Sequence, residues 1–576
     1  MINNNEYRFG IVPEVTTPRS KFLMHQNIRT TFNAGLLIPF YVDQSIMPGD
    51  TFKLSGTFVI RQSTPIYPTM DNSFADIFFV RVPIRLIWTH FKQFMGENDT
   101  GAWTQQTEYE VPKIALNRYH NSCVEKGDTL NYMGVPITKG LRYDHQGDEI
   151  RISALPIRAY QLTWNEWFRD ENVCPPYFIN KDETEMRPYH YTGSGQGTLQ
   201  DQYWGKYTPN GQNTRFDPLP APVFKYKDYF NSCLPSPQKG DAVTLPLGQT
   251  APIDFYANNP DNNATVAQGD KIYLNNYYTT NTDVGPSRAG AGTDDESTDT
   301  GTQGFFNIQA FADLSNAVAA TVNAQRLAFA TQRILEQAAR TGTRYTEIIR
   351  GFFGVTSPDA RQQRPEILCS RRIPITMTQV AQTSSTDSTS PQGNVAAYSL
   401  TVDSNHLCTF SNTEHCIVLG LICIRQEHSY DQGLQRDWTK FKKLDWYWPQ
   451  LAFIGEQPIY NREIMLTGVQ SDGTSTDGEV FGYNERWAEL RYKPNINTGA
   501  FSTQYAQSLD SWHYGDSYNS LPVLSFEWRK ETKDYIDRTL AVQSNVEDQY
   551  LMDCRIEIEA TRPIPMFSVP GLLDHF

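Results

Sequence analysis

The chain of 576 residues has no apolar run long enough to cross a membrane: its longest, Cys416 to Ile424, falls far short of the ~20 residues a spanning helix needs. Its eight Cys are scattered, with no CxxC pair and no compact framework, so they read as buried free thiols of a reducing compartment. The first residues, MINNNEYRFG, lack the basic and apolar regions of a signal peptide, and neither secretion nor membrane insertion is expected. Charged residues make up only 20% of the chain, and residues 1 to 30 carry Arg8, Arg19, Lys21 and Arg29 against Glu6 and Glu14, which is not a basic arm. Short catalytic signatures are missing too. There is no GxxxxGK phosphate loop, no GxGxxG after a strand, no HExxH and no GxSxG, which removes the strong nucleotide, zinc and hydrolase readings. No period of 20 to 50 residues is visible, which disfavours solenoids and propellers.

What is abundant is aromatic side chains, at 13%, with 71 Gly and Pro together (37 and 34). That mix suits a β-rich protein with long ordered loops and wide subunit contacts. Alternation supports it. Phe52, Leu54, Gly56, Phe58 and Ile60 face one way along a strand flanked by the apolar runs Leu36 to Val42 and Phe74 to Val82. Near the other end, Met552, Cys554, Ile556, Ile558 and Ala560 alternate with Asp553, Arg555, Glu557 and Glu559, a strand with one buried face. Cys416 to Ile424 is apolar on both sides and should be a central strand. Helical spacing is confined to Leu155 to Phe168, with Trp164, Trp167 and Phe168 at i, i+3 and i+4, and to Thr321 to Arg340. Gly342 should stop that helix and Thr343 cap the next, Arg344 to Phe353. Strands from both ends with helices between them predict one β-sandwich with long insertions, and a jelly roll fits.

The segment Pro252 to Gly304 differs in kind: it is crowded with Asn, Asp, Thr and Gly and carries eight acids against two bases. Such a segment is expected at the surface as a solvated projection, and Thr383 to Asn394 as an exposed loop. The sequons at Asn98 and Asn263 are read as ordinary loops.

Thr321 to Arg372 concentrates positive charge, holding nine Arg, four carboxylates and no Lys in a chain of net charge −14. Planar guanidinium forks suit phosphates and carboxylates, so the segment could meet a polyanion or an acidic neighbouring subunit, or it could be a solvated charged face. Pro358 and Pro365 keep Val355 to Arg372 out of a regular helix, so the side chains should splay. Weaker groupings carry less. His406, Cys408, His415, Cys416 and Cys423 do not make a metal site if Cys416 and Cys423, seven apart in a strand, point to opposite faces. Asp472, Asp477 and Glu479 read as a turn rather than a calcium loop. Asp445, Trp446, Trp448 and Glu456 have the residue types of a glycosidase cleft, with ordinary packing as the default.

The blocks FNAGLLIPFYVDQSIMPGDTF, ALPIRAYQLTWNEWFRDENV, DYFNSCLPSPQKGDAVTLPLG, GTRYTEIIRGFFGVTSPDARQQRPE, FGYNERWAELRYKPNINTG and PIPMFSVPGLLDHF, in this order, resemble the major capsid protein of microviruses, above all the gokushovirus-type phages. The likeness covers the chain outside Trp103 to Gly147, Tyr177 to Gly211 and Pro252 to Gly304. It implies a viral jelly roll assembled as sixty copies into a T=1 icosahedral shell around circular single-stranded DNA, without enzymatic activity or a cofactor. It also implies that Pro252 to Gly304 lies where a threefold protrusion meets a bacterial surface receptor, and that a small basic DNA-binding virion protein and a pilot or minor virion protein complete the particle. On this reading Arg371 and Arg372 are candidates for DNA contact, Arg361 and Arg364 should pair with acids of the same or a neighbouring subunit, and Arg344 is a further subunit-interface candidate. Two other classes remain open on sequence: a carbohydrate-active β-sandwich enzyme and a lectin-like or fibre-like adhesion protein.

Overall fold

The structure, a computed structural model, describes residues 18–98, 107–116, 122–139, 149–190, 214–241, 243, 253–258, 307–312, 322–383, 392–393, 395–469 and 474–567. The chain divides into two compact units, one of residues 1–237 and 339–576, the other of residues 238–338.

Eight strands build the core of the first unit: β1 (Ser20–Phe32), β2 (Ile38–Ile46), β3 (Thr51–Gln62), β4 (Ser73–Pro83), β5 (Glu366–Pro374), β6 (Thr401–Ser411), β7 (Cys416–Gln426) and β8 (Tyr550–Arg562). They form two four-stranded antiparallel sheets, ordered β1-β8-β3-β6 and β5-β4-β7-β2. The first strand therefore pairs with the eighth, the second with the seventh, the third with the sixth and the fourth with the fifth. That is a long hairpin rolled into two sheets, a jelly roll. Its closure is non-local: Phe32 on β1 lies opposite Tyr550 on β8.

The strands expected from alternation are present with slightly wider bounds. On β3, Phe52, Leu54, Phe58 and Ile60 point into the sandwich, and on β8, Met552, Cys554, Ile556, Ile558 and Ala560 do so. Each fully buried apolar side chain of this size contributes about 1.5–3 kcal/mol. Gly56 also faces inward. A Cβ there would come within 2.8 Å of Leu407 Cδ1 and of the Phe58 ring, so the gap in the apolar row makes room for its neighbours.

β7 is central and buried on both faces, because each face belongs to a different core. Cys416, Val418, Ile422 and Ile424 join the sandwich interior. Ile417, Leu419, Leu421 and Cys423 join a second cluster with Leu155, Ile157, Tyr160 and Trp164, formed by helix α1 (Leu155–Thr163) and the π turn Trp164–Phe168 that continues it. Two polar groups tie α1 to the segments around it. The buried Tyr160 hydroxyl donates to the Leu37 carbonyl at 2.7 Å, and Arg158 donates to the carbonyls of Ile87 and Asp182 at 3.3 and 2.8 Å. A third cluster, around Tyr229, Phe230, Ile459 and Phe481, organises the insertion between β7 and β8.

Helix α2 (Val322–Thr341) ends where expected, at Gly342 with φ of +94°. The next helix, α3 (Tyr345–Phe353), is capped differently from the expectation at Thr343. Thr343 turns its N–H and hydroxyl to the Glu171 carboxylate, and Arg344 takes the cap position while the Glu347 carboxylate accepts from its backbone N–H at 3.1 Å. The second unit contains an antiparallel pair, Ile253–Asn258 with Asn307–Ala312. Most of the acidic segment Pro252 to Gly304, and residues 384–391 and 394 of the polar loop, lie outside the described residues.

All eight thiols are free, and all but Cys369 are buried. No helix among the described residues is long and apolar enough to cross a membrane.

Candidate functional site

The arginine-rich segment descends from α3 through a turn at residues 354–365 into β5. Gly354 terminates α3 with φ of +67°, and strand geometry then sends Arg371 and Arg372 to opposite sides of β5. The expected splay is present, and its consequence is that each guanidinium finds a different partner.

Arg344 is a brace within the subunit. Its guanidinium pairs with Glu347 at 2.8 Å and donates to the carbonyls of Asn165 and Arg169, both at 2.9 Å, which ties α3 to the turn that follows α1. Arg364 is held on three sides: Nε donates to Asp359 at 2.8 Å, a terminal nitrogen donates to the Thr346 hydroxyl at 3.1 Å, and the guanidinium lies 4.0 Å from the centre of the Trp167 ring. Trp167 is itself fixed by an N–H bond of 2.9 Å to the Pro365 carbonyl. Of the three interface candidates, Arg361 alone is exposed.

The two DNA candidates are also engaged. Arg371 donates to Asp403 on β6 at 2.7 Å. Arg372 stands directly across from Asp76 on β4 and donates to it at 2.8 Å. Asp76 is buried and serves several donors at once: Arg425 reaches it at 2.5 Å and the Tyr226 hydroxyl at 2.7 Å. Both guanidinium groups lie over the Tyr226 ring, 4.3 and 4.2 Å from its centre. Hydrogen bonding to Asp76 raises the pKa of Arg372, so its charge is permanent. Two cations share one carboxylate here, and Arg372, with 51% of its side chain exposed, presents the surplus to solvent.

Neighbouring features add no catalytic geometry. Seven cations, among them Arg344, Arg425, Arg529 and Lys225, and five acids, among them Asp170, Glu347 and Glu456, line a cavity of about 650 Å³, so most of its charge is compensated. Glu456 pairs with Arg340, while Asp445 accepts the backbone N–H groups of Phe441 and Lys442 at 3.1 and 2.7 Å. The two acids therefore serve local structure and do not face each other across an aromatic cleft. Ordinary packing was the wrong default for Trp446, which is 62% exposed. Asp477 closes a turn by accepting from Thr467 and Gly468, in keeping with the reading as a turn, while Asp472 lies outside the described residues. Cys416 and Cys423 lie in different cores, as strand parity requires. A grouping that sequence spacing could not show brings Cys123, Glu125 and His190 together, but Glu125 already pairs with Lys139 at 2.7 Å and His190 with Asp128 at 3.0 Å.

A jelly roll whose loops carry hundreds of residues is an architecture that viral shells share with lectins and cupins. Comparison with known sequences specifies it: residues 10–572 match the family described as capsid protein (F protein), and the chain belongs to that family. Three relatives carry the description capsid protein VP1. That of Spiroplasma virus 4 is 36% identical over 99% of this chain and 98% of its own length, and that of Chlamydia phage 1 is 34% identical over 98% and 97%. The third, of Bdellovibrio phage phiMH2K, is 33% identical over 100% and 99%. The chain is thus a structural capsid protein of the microvirus type that associates with itself to build the virion shell.

Proposed function

We propose that sixty copies of this chain form a T=1 icosahedral shell around a circular single-stranded DNA genome, with no catalytic role. The observation that supports the reading is the match to viral capsid proteins along nearly the whole chain, and the internal bracing of the arginine-rich segment bears on how the genome is neutralised. Arg344, Arg364, Arg371 and Arg372 all have carboxylate partners within the chain, and the chain as a whole is acidic. A polyanionic genome needs cationic neutralisation, so most of it has to come from a separate small basic virion protein. Arg372, two cations to one carboxylate, is the better of the two candidates for a direct phosphate contact; Arg371 is matched by Asp403 alone. A pilot or minor virion protein would complete the particle, and Pro252 to Gly304 would meet the bacterial receptor.

Purified particles test this. The expected result is a small shell of uniform size holding nuclease-resistant DNA that single-strand-specific nuclease digests after disruption. Shells free of nucleic acid, or DNA that resists that nuclease once released, would overturn the genome assignment. Deleting residues 259–306 should spare shell formation and abolish host attachment; an insoluble deletion product would show that the segment belongs to the core.

A further inference from the structure

The insertion between β7 and β8 contains a segment, residues 436–454, whose apolar side chains point away from the protein. Trp438 is 72% exposed, Phe441 86% and Phe453 98%, with Leu444, Trp446 and Ile454 each at least 60% exposed. Isolated exposed apolar residues are ordinary, but a run of this density is a surface waiting to be covered. These side chains, with Tyr447 and Trp448, present roughly 1,000 Å² on aromatic and aliphatic areas of usual size, and a specific protein interface needs about 800 Å² per partner.

The segment is not a loose tail. Its backbone is pinned by the Asp445 carboxylate, by the Trp448 N–H on the Lys443 carbonyl at 3.0 Å, and by Arg436 on the Pro458 carbonyl at 3.0 Å. From below, Trp487 holds it: its N–H reaches the Leu451 carbonyl at 3.3 Å and its ring packs edge-on against Tyr447 at 5.5 Å. Trp487 does so in the left-handed backbone region, at φ of +65°, a conformation that a bulky residue adopts only when its surroundings hold it there. A rigid apolar surface loses little entropy on docking.

We propose that residues 436–454 form an interface with a second copy of this chain during shell assembly; the inference rests on the self-association of a capsid protein and not on the identity of the genome. Two observations favour a protein occupant over a nucleic acid. The apolar set includes Leu444 and Ile454, which offer no stacking face to a base. Its lysines are also largely committed: Lys440 pairs with Asp437 at 2.7 Å and Glu489 at 3.4 Å, and Lys443 lies 5.0 Å from the centre of the Trp448 ring. A second copy of this chain is the partner that a self-associating capsid protein meets in every shell, and the bare area is of the size one such contact needs.

The test is the double variant F441S/F453S, whose side chains are almost free of the subunit. The unfolding midpoint of the unassembled subunit should be unchanged, and shell yield at fixed subunit concentration should fall by about tenfold or more, the effect of losing two central apolar anchors. Wild-type shell yield would overturn the proposal, and wild-type shells with less retained DNA would reassign the surface to the genome. Oxidative footprinting of the unmodified protein guards against a misfolded variant: Phe441 and Phe453 should be protected in shells emptied of nucleic acid relative to free subunits. Equal labelling of both, or protection only in DNA-filled particles, would refute the interface.

Discussion

His428 offers a sharp test of how the sandwich is tied to its insertions. It follows β7, is buried, and stands between two carboxylates, with Nδ1 2.5 Å from Asp516 and Nε2 3.1 Å from Glu531. Lys225 also reaches Asp516, at 2.8 Å, and the Tyr518 hydroxyl donates to the same carboxylate at 2.6 Å; the Tyr535 ring packs edge-on to the imidazole. Two cations thus face two anions. Burial alone would strip the imidazole of its proton, but the charges of Asp516 and Glu531 overcome that and push its pKa from 6.5 up to about 9. Because the folded value is raised, the stabilisation is complete below pH 6.5, declines as pH rises above it, and is gone once pH passes about 9. The difference corresponds to about 3 kcal/mol. Asp516 moves the other way: burial opposes its charge, but Lys225 and His428 hold its pKa well below the usual carboxylate range, so its contribution is lost only on strong acidification. Denaturant unfolding of the unassembled subunit, wild type against His428→Gln, should show a gap of about 3 kcal/mol at pH 6 that closes to within about 1 at pH 9.5. A gap that is independent of pH, or absent at pH 6, would refute a protonated His428.

Asp76→Asn should cost about 3–5 kcal/mol by leaving Arg372 and Arg425 without their shared buried carboxylate, read by the same denaturation assay. Arg364→Gln should lose about 2 kcal/mol through the Asp359 pair and the Trp167 stack, while Arg361→Gln stays within about 0.5 in subunit stability, leaving Arg361 free to report on assembly alone. Arg372→Gln should lower DNA retained per particle more than Arg371→Gln, measured as the nucleic acid to protein ratio of purified shells. Gly35→Ala should destabilise the subunit by more than about 2 kcal/mol in denaturant unfolding, because φ is +81° and the new Cβ would sit 2.4 Å from the Glu531 carbonyl oxygen.

Local pattern sufficed for the strands whose side chains alternate or are apolar throughout, since strand parity is a property of neighbouring residues. It placed β3, β7 and β8, and it separated Cys416 from Cys423 correctly. It also marked the end of α2 at Gly342, where the chain needs a positive φ. Resemblance along the sequence supplied the capsid family, which no single motif could.

Tertiary structure alone decided which charges are spent and which surfaces are bare. Nothing between positions 76 and 372, or between 167 and 364, announces that these residues touch, because the pairing of β4 with β5 crosses the insertion at residues 84–365 and the Trp167 to Arg364 contact is likewise distant in sequence. On sequence the arginine-rich segment could be a solvated face, a polyanion contact or a set of ion pairs, and folding turned most of it into internal bracing. The bare aromatic surface at 436–454 was illegible for the complementary reason: composition records how apolar a side chain is, whereas exposure depends on what the rest of the chain brings against it, and here the subunit brings little.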